Sequence, residues 1–204
     1  MKGQGLAIIP LDLPGITRGK PLDKIGQRPL NQGEIFFEDV RIPKESMVFT
    51  PDMGIIEGNR EKNISQVNGG MALVFAGLAK AAYDEAFSCA SERIQDGVPI
   101  NEHQNIKLKL FRRFNQVEAA RAAARRMTLF NYGSLTPSGA HAVACKCLST
   151  ETAFQVASEA IQIHGGNGLT REYSVEKMFG DARTSMNADG VNESLMLGAF
   201  DWLK

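Results

Sequence analysis

The chain has 204 residues, which suits one domain or a domain with an appendage and suffices to bury a real core. Its 43% apolar and 23% charged residues are ordinary for a globular protein, and 23 Lys+Arg balance 23 Asp+Glu, so no strong field recruits nucleic acid or an anionic membrane. No window approaches a membrane span and no signal peptide is visible, while three cysteines, with Cys145 and Cys147 on different faces of a helix, read as reduced structural thiols of a cytoplasmic protein.

Residues 1 to about 50 read as β, because prolines and glycines punctuate short apolar runs. These runs are Leu6 to Ile9, Gly15-Ile16-Thr17 and Ile35 to Ile42, and Pro43 ends the last and clearest of them. From Asn59 onward the pattern becomes helical. Ile64, Val67, Met71, Val74 and Leu78 recur at spacings of three and four, which places an apolar stripe on one helix face. Ile106, Leu110, Phe114, Val117 and Ala124 mark a second helix, and Val143, Cys147, Phe154, Ala157 and Ile161 a third. Pro137, Ser138 and Gly139 separate these two. A last helix runs from Val191 to Trp202. Long helices joined by short polar turns predict an antiparallel four-helix bundle in a mainly α chain, with a partial β-domain over 1–52 and the bundle over 53–204.

The third helix ends abruptly at Gln162-Ile163-His164-Gly165-Gly166-Asn167-Gly168, followed by Leu169-Thr170-Arg171-Glu172-Tyr173. Glycine reaches left-handed backbone angles, and such a run both stops a helix and exposes N–H groups to an anion. This stretch resembles the signature of the acyl-CoA dehydrogenase C-terminal domain. Asp84-Glu85-Ala86, then Glu92-Arg93 with Gly97, Pro99, Ile100 and Gln104, looks like that family's helix–turn–helix junction. Gly26-Gln27-Arg28, then Ile35-Phe36-Phe37-Glu38-Asp39-Val40-Arg41-Ile42-Pro43, looks like the end of its middle β-domain. The match is colinear over nearly the whole chain. It implies a fragment or one piece of a split gene, since the family's earlier strands and N-terminal helices have no counterpart.

The resemblance also implies chemistry. The family is expected to bind FAD, desaturate an acyl-CoA thioester between its α and β carbons, and pass electrons to an electron-transfer flavoprotein. Asp181-Ala182-Arg183 followed by Asp189-Gly190-Val191 places Asp189 at the position of the family's catalytic base, where a glutamate usually stands. Aspartate withdraws the carboxylate by roughly one C–C bond, about 1.5 Å. Relatives acting on alicyclic acyl-CoA thioesters, and nitroalkane oxidases, are similar in using aspartate. Asp-Gly before an apolar run also fits a helix N-cap.

Arg93 matches an arginine that contacts the FAD pyrophosphate of a neighbouring subunit, and its planar fork suits phosphate oxygens; a surface arginine closing a helix C-terminus is the alternative. Gln104, Gln162, Gly165 and Gly166 match other cofactor contacts. Asp96 stands where the family often has phenylalanine, and Val191 where it has threonine. His103, His141 and His164 lack metal-ligand spacing, so no metal is expected. Arg112, Arg113, Arg121, Arg125 and Arg126 read as an exposed or intersubunit face, because Glu118 interrupts them and the chain is neutral. The resemblance implies a homo-oligomer, tetramer or dimer. Two other readings stay open: a non-catalytic helical module that oligomerises, and an oxidase of the nitroalkane type.

Overall fold

The computed structural model describes residues 6–49, 56–133, 136 and 138–203. The chain divides into two compact units, one of Met1–Lys24 with Arg28–Arg60, the other of Ile25–Gln27 with Glu61–Lys204. The expected boundary between residues 52 and 53 lies outside the described residues, as does Pro137.

The first unit contains two small antiparallel ladders. Strand β1 (Leu6–Ala7) pairs with β4 (Met47–Phe49), and β2 (Ile16–Arg18) pairs with β3 (Ile35–Phe37) in the register Ile16–Phe37, Thr17–Phe36, Arg18–Ile35. The run from Ile35 to Ile42 is therefore not one strand. It stops at Phe37, and Asp39 then takes a left-handed φ of 48°, which no ladder accommodates. Strand β4 has no alternating apolar pattern to announce it.

The second unit is helical, with α1 (Ile56–Glu92), α2 (Gln104–Tyr132), α3 (Gly139–His164), α4 (Ser174–Ser185) and α5 (Asn192–Phe200). Helix α3 is the centre of the bundle and packs on α2, α4 and α5. Ser138 caps it, its hydroxyl accepting from the His141 N–H. The fold is mainly α and of the bundle type expected, but one helix more than the periodicity counted. Val175, Met178, Phe179 and Ala182 give α4 its inward face, a pattern too short to stand out.

The core is built on small residues. Phe75, Ala79, Ala82, Ala86 and Ala90 of α1 meet Val117 of α2 and Ala153, Val156, Ala157 and Ala160 of α3. Alanine adds no bulk between backbones, so the helices approach closely and fix few rotamers in doing so. This corrects the stripe expected on α1. Val67 and Val74 point outward, 49% and 63% exposed, and the alanine row one position round the helix faces inward. The stripes on α2 and α3 are largely inside, although Phe114 is 42% exposed.

Between α1 and α2 runs a hairpin of β5 (Ile94–Gln95) and β6 (Val98–Pro99). Its two turn residues, Asp96 and Gly97, have φ of 51° and 81°. Two successive positive φ angles define the tight hairpin turn that Asp-Gly favours, so Asp96 has a local conformational reason to replace an aromatic residue.

A cavity at the end of α1 and the loop carrying Asp189

Helix α3 ends at His164, where Gly165 takes a left-handed φ of 64° and its N–H returns to the Gln162 and Ile161 carbonyls. A 3-10 turn, Gly165–Leu169, follows. Arg93, the first residue past α1, reaches across to this turn. Its Nη1 donates to the His164 carbonyl at 3.0 Å, so it closes the C-terminus of α3 rather than that of its own helix. A Cβ on Gly165 would stand 3.1 Å from that nitrogen. Arg93, Gly165 and Gly166 are thus brought together.

Arg93 and Gly166 border a cavity of about 580 Å³ whose walls also include Glu85, Cys89 and Glu92 of α1 and His164. His164 is 3% exposed; its Nδ1 bonds the Ala160 carbonyl at 2.8 Å and its ring meets the edge of Tyr173. The ring is thus held in place as part of the wall. Glu92 accepts from Ser88 Oγ at 2.8 Å. Burial raises the Cys89 thiol above its ordinary pKa, against the pull of nearby Arg93.

Gln104 and Gln162 do not line this cavity. Gln104 is the exposed first residue of α2, and Gln162 is exposed on the last turn of α3, contributing its carbonyl to the cap of Gly165. Ser88 and Cys89 were not singled out by sequence, and Glu85 entered only as part of the Asp84-Glu85-Ala86 stretch; they sit one and two turns before Arg93 on α1, and that spacing was the available signal.

Asp189 does not line the cavity either. It stands in the turn between α4 and α5, exposed, with φ of 52°, and Gly190 follows at 114°. The N-cap reading of Asp189 is overturned: Val191 occupies the N-cap position of α5 and no side chain caps that helix. Asp189's carboxylate makes no hydrogen bond to the described residues. The turn itself is closed by the Asn192 N–H donating to the Met186 carbonyl at 3.1 Å. Beneath it lies Lys146 of α3, fully buried, with Nζ donating to the Gly190 carbonyl at 2.8 Å and to Asn192 Oδ1 at 2.7 Å. Burial depresses its pKa, while Cys147, Asp189, Glu193 and Glu151 favour its charged form. Asp181, from the Asp-Ala-Arg stretch, accepts from the Gln27 N–H through Oδ1 and pairs with Lys177.

Among the described residues no cluster of His, Cys, Asp and Glu could hold a metal, and no helix is long and apolar enough to cross a membrane. Comparison with known proteins places the chain. The model of the acyl-CoA dehydrogenase C-terminal domain matches residues 61–199. A probable acyl-CoA dehydrogenase of Bacillus subtilis is 34% identical over 91% of this chain and 48% of its own length. The mitochondrial short-chain specific acyl-CoA dehydrogenase of Rattus norvegicus is 32% identical over 94% of this chain and 46% of its own. The chain therefore spans about half the length of these relatives. Butyryl-CoA dehydrogenase from Megasphaera elsdenii superposes with a TM-score of 0.83 at 29% identity, covering 98% of this chain and 52% of that one. On this match of sequence and fold, the chain belongs to the acyl-CoA dehydrogenase family.

Proposed function

We propose that the chain is the C-terminal part of an FAD-dependent acyl-CoA dehydrogenase in which Asp189 takes the α-proton of the substrate thioester. The observation that carries this is the Asp189 carboxylate itself: exposed, unbonded to the described residues, and presented on a turn of two left-handed residues. A carboxylate used as a helix cap or in an ion pair is already committed; this one is available to a ligand. The left-handed φ also suits aspartate, whose short polar side chain tolerates that region better than longer ones. Desolvation by a bound thioester would strengthen the carboxylate as a base.

The residues at the cavity fit the phosphate-bearing portion of FAD. Arg93 has a planar fork beside an exposed glycine backbone, and a Cβ on Gly166 would meet nothing. Arg93, Gly165 and Gly166 would hold the pyrophosphate, with Gln104 and Gln162 as flanking contacts. Glu85 and Glu92, also on the cavity wall, suit hydroxyl or amino donors rather than phosphates. Bound FAD supplies the acceptor for the hydride that leaves the β carbon. The names of two relatives, short-chain specific and butyryl-CoA dehydrogenase, make a short acyl-CoA the first thioester to try. The family resemblance supplies an electron-transfer flavoprotein as the electron acceptor and a homo-oligomer as the working form. Three free cysteines support a reducing, cytoplasmic setting.

The test adds FAD and butyryl-CoA to the chain, without oxygen, and follows flavin bleaching and loss of α-deuterium from labelled thioester. Asp189→Asn should lower both by about 100-fold or more, while FAD binding stays as in the wild type. An asparagine variant as fast as the wild type would sink the assignment. A chain that binds neither FAD nor thioester would favour a non-catalytic helical module, and peroxide formed from a nitroalkane would favour the oxidase.

A further inference from the structure

Lys146 is 0% exposed in the middle of α3, on the same face as Val143, Cys147 and Thr150. An ammonium there loses its water, and it is tolerated only where protein acceptors replace that water. The acceptors it has found are not on its own helix. They are the Gly190 carbonyl and Asn192 Oδ1, which flank Val191 in the turn carrying Asp189. Asn192 is itself 1% exposed and fixed from a second side, its Nδ2 donating to Thr150 Oγ1 at 3.1 Å and to Glu151 Oε1 at 3.3 Å. The turn cannot hold its own shape by a helical ladder, since Asp189 and Gly190 are both left-handed. The Asn187 and Ala188 N–H groups bond the Thr184 carbonyl and the Asn192 N–H bonds that of Met186, which holds the two ends and leaves the middle, Asp189 to Val191, to the lysine.

We propose that Lys146 is a positioning residue: by gripping Gly190 and Asn192 together it fixes the turn that presents the Asp189 carboxylate. This rests on Asp189 being the base, and it adds a residue that touches neither cofactor nor substrate. The rigidity of α3, the central helix, is thereby passed to an exposed turn by one long side chain.

The experiment uses the full chain and needs no turnover for its first readouts. In the wild type, the Lys146 ammonium protons, followed by nitrogen-15 NMR, should exchange with water at least about 10-fold more slowly than those of exposed Lys107. In Lys146→Met the Asn192 amide should exchange about 10-fold faster or more, with α1 and α2 amides unchanged. Lys146→Gln, which keeps a donor, should fall between the two. Where the variant pair is compared in the presence of FAD and butyryl-CoA, kcat should fall about 10-fold in Lys146→Met with KM kept, the mark of a misplaced base rather than a lost binding surface. A folded Lys146→Met with wild-type protection at Asn192 overturns the proposal. Should that variant not fold, the ammonium exchange of the wild type decides, and a rate equal to that of Lys107 overturns it. Asp189→Asn separates the two ideas. If it keeps α-proton removal while Lys146→Met loosens the turn, the base assignment fails and the tether stands. If it abolishes α-proton removal while Lys146→Met leaves the turn rigid, the tether fails and the base stands.

Discussion

A Cβ added to Gly168 would lie 2.7 Å from the Ile161 carbonyl oxygen and 3.0 Å from His164 Cβ, so only glycine lets this turn fold back on α3. Gly165 is needed for a different reason, its φ of 64°. Gly166 has neither reason: it is exposed and an added Cβ meets nothing within 4 Å. On the proposed reading it is the bound FAD, not the fold, that requires glycine at this position. Gly168→Ala is expected to cost about 2 kcal/mol in thermal unfolding by overpacking, whereas Gly166→Ala stays within about 0.5 kcal/mol of the wild type. In an FAD titration the order should reverse, with folded Gly166→Ala binding more weakly; unaltered binding there would remove Gly166 from the site. The glycine motif was legible in sequence as a unit, but the separate task of each glycine was not, because the tasks depend on neighbours brought in by α1 and α3. Lys146 was not legible at all. A lysine inside an apolar stripe reads as a helix edge until the turn from residues 186–192 closes over it.

At the scale of elements, α2 and α3 are held by Glu159, which accepts from Lys109 Nζ at 2.7 Å and Arg113 Nη2 at 3.2 Å. Burial pushes the Glu159 carboxyl up, but the bonds and charges of Lys109 and Arg113 outweigh it and its pKa lies below the ordinary 4.5. A carboxyl with a lowered folded-state pKa stabilises the fold above its unfolded value and loses that contribution as pH falls through the folded one. Glu159→Gln should therefore cost roughly 1 kcal/mol at neutral pH, and the gap to the wild type should close below pH 4.5. A gap independent of pH would mean that packing, not charge, is what the substitution disturbs. Helix existence was readable from period alone for the long helices. Which face of α1 turns inward was not, since Val67 and Val74 outrank alanine in hydrophobicity but the close helix seam selects for size. The strands were least readable, being two or three residues long and mostly exposed.

Over the whole molecule, the buried apolar side chains of the described residues all lie between Ala72 and Ala199. Outside that core, Phe87 of α1 and Phe111 and Phe114 of α2 form an exposed aromatic group around Tyr83, with ring centroids about 6 Å apart. Apolar clusters of this kind on a chain with no net charge favour association. On the reading of a homo-oligomer, Phe111→Asp should shift the chain to a smaller species in light scattering with its helical circular dichroism intact. An unchanged mass would place the interface elsewhere. Finally, Gly26 and Gly180 meet backbone to backbone, with no room for a Cβ on either, beside the bond from Gln27 to Asp181 across 154 residues of sequence. Closing so long a loop from the unfolded chain costs on the order of 4 kcal/mol in entropy, with one hydrogen bond to show for it. Once the long helices have packed, only the stretch from Gln27 to α1, roughly 30 residues, is left to close, and the cost falls by about 1.5 kcal/mol. An order of assembly follows from this contact: it is expected to form late, after the long helices have packed, and amide exchange should show Gln27 opening more readily than the core of α3.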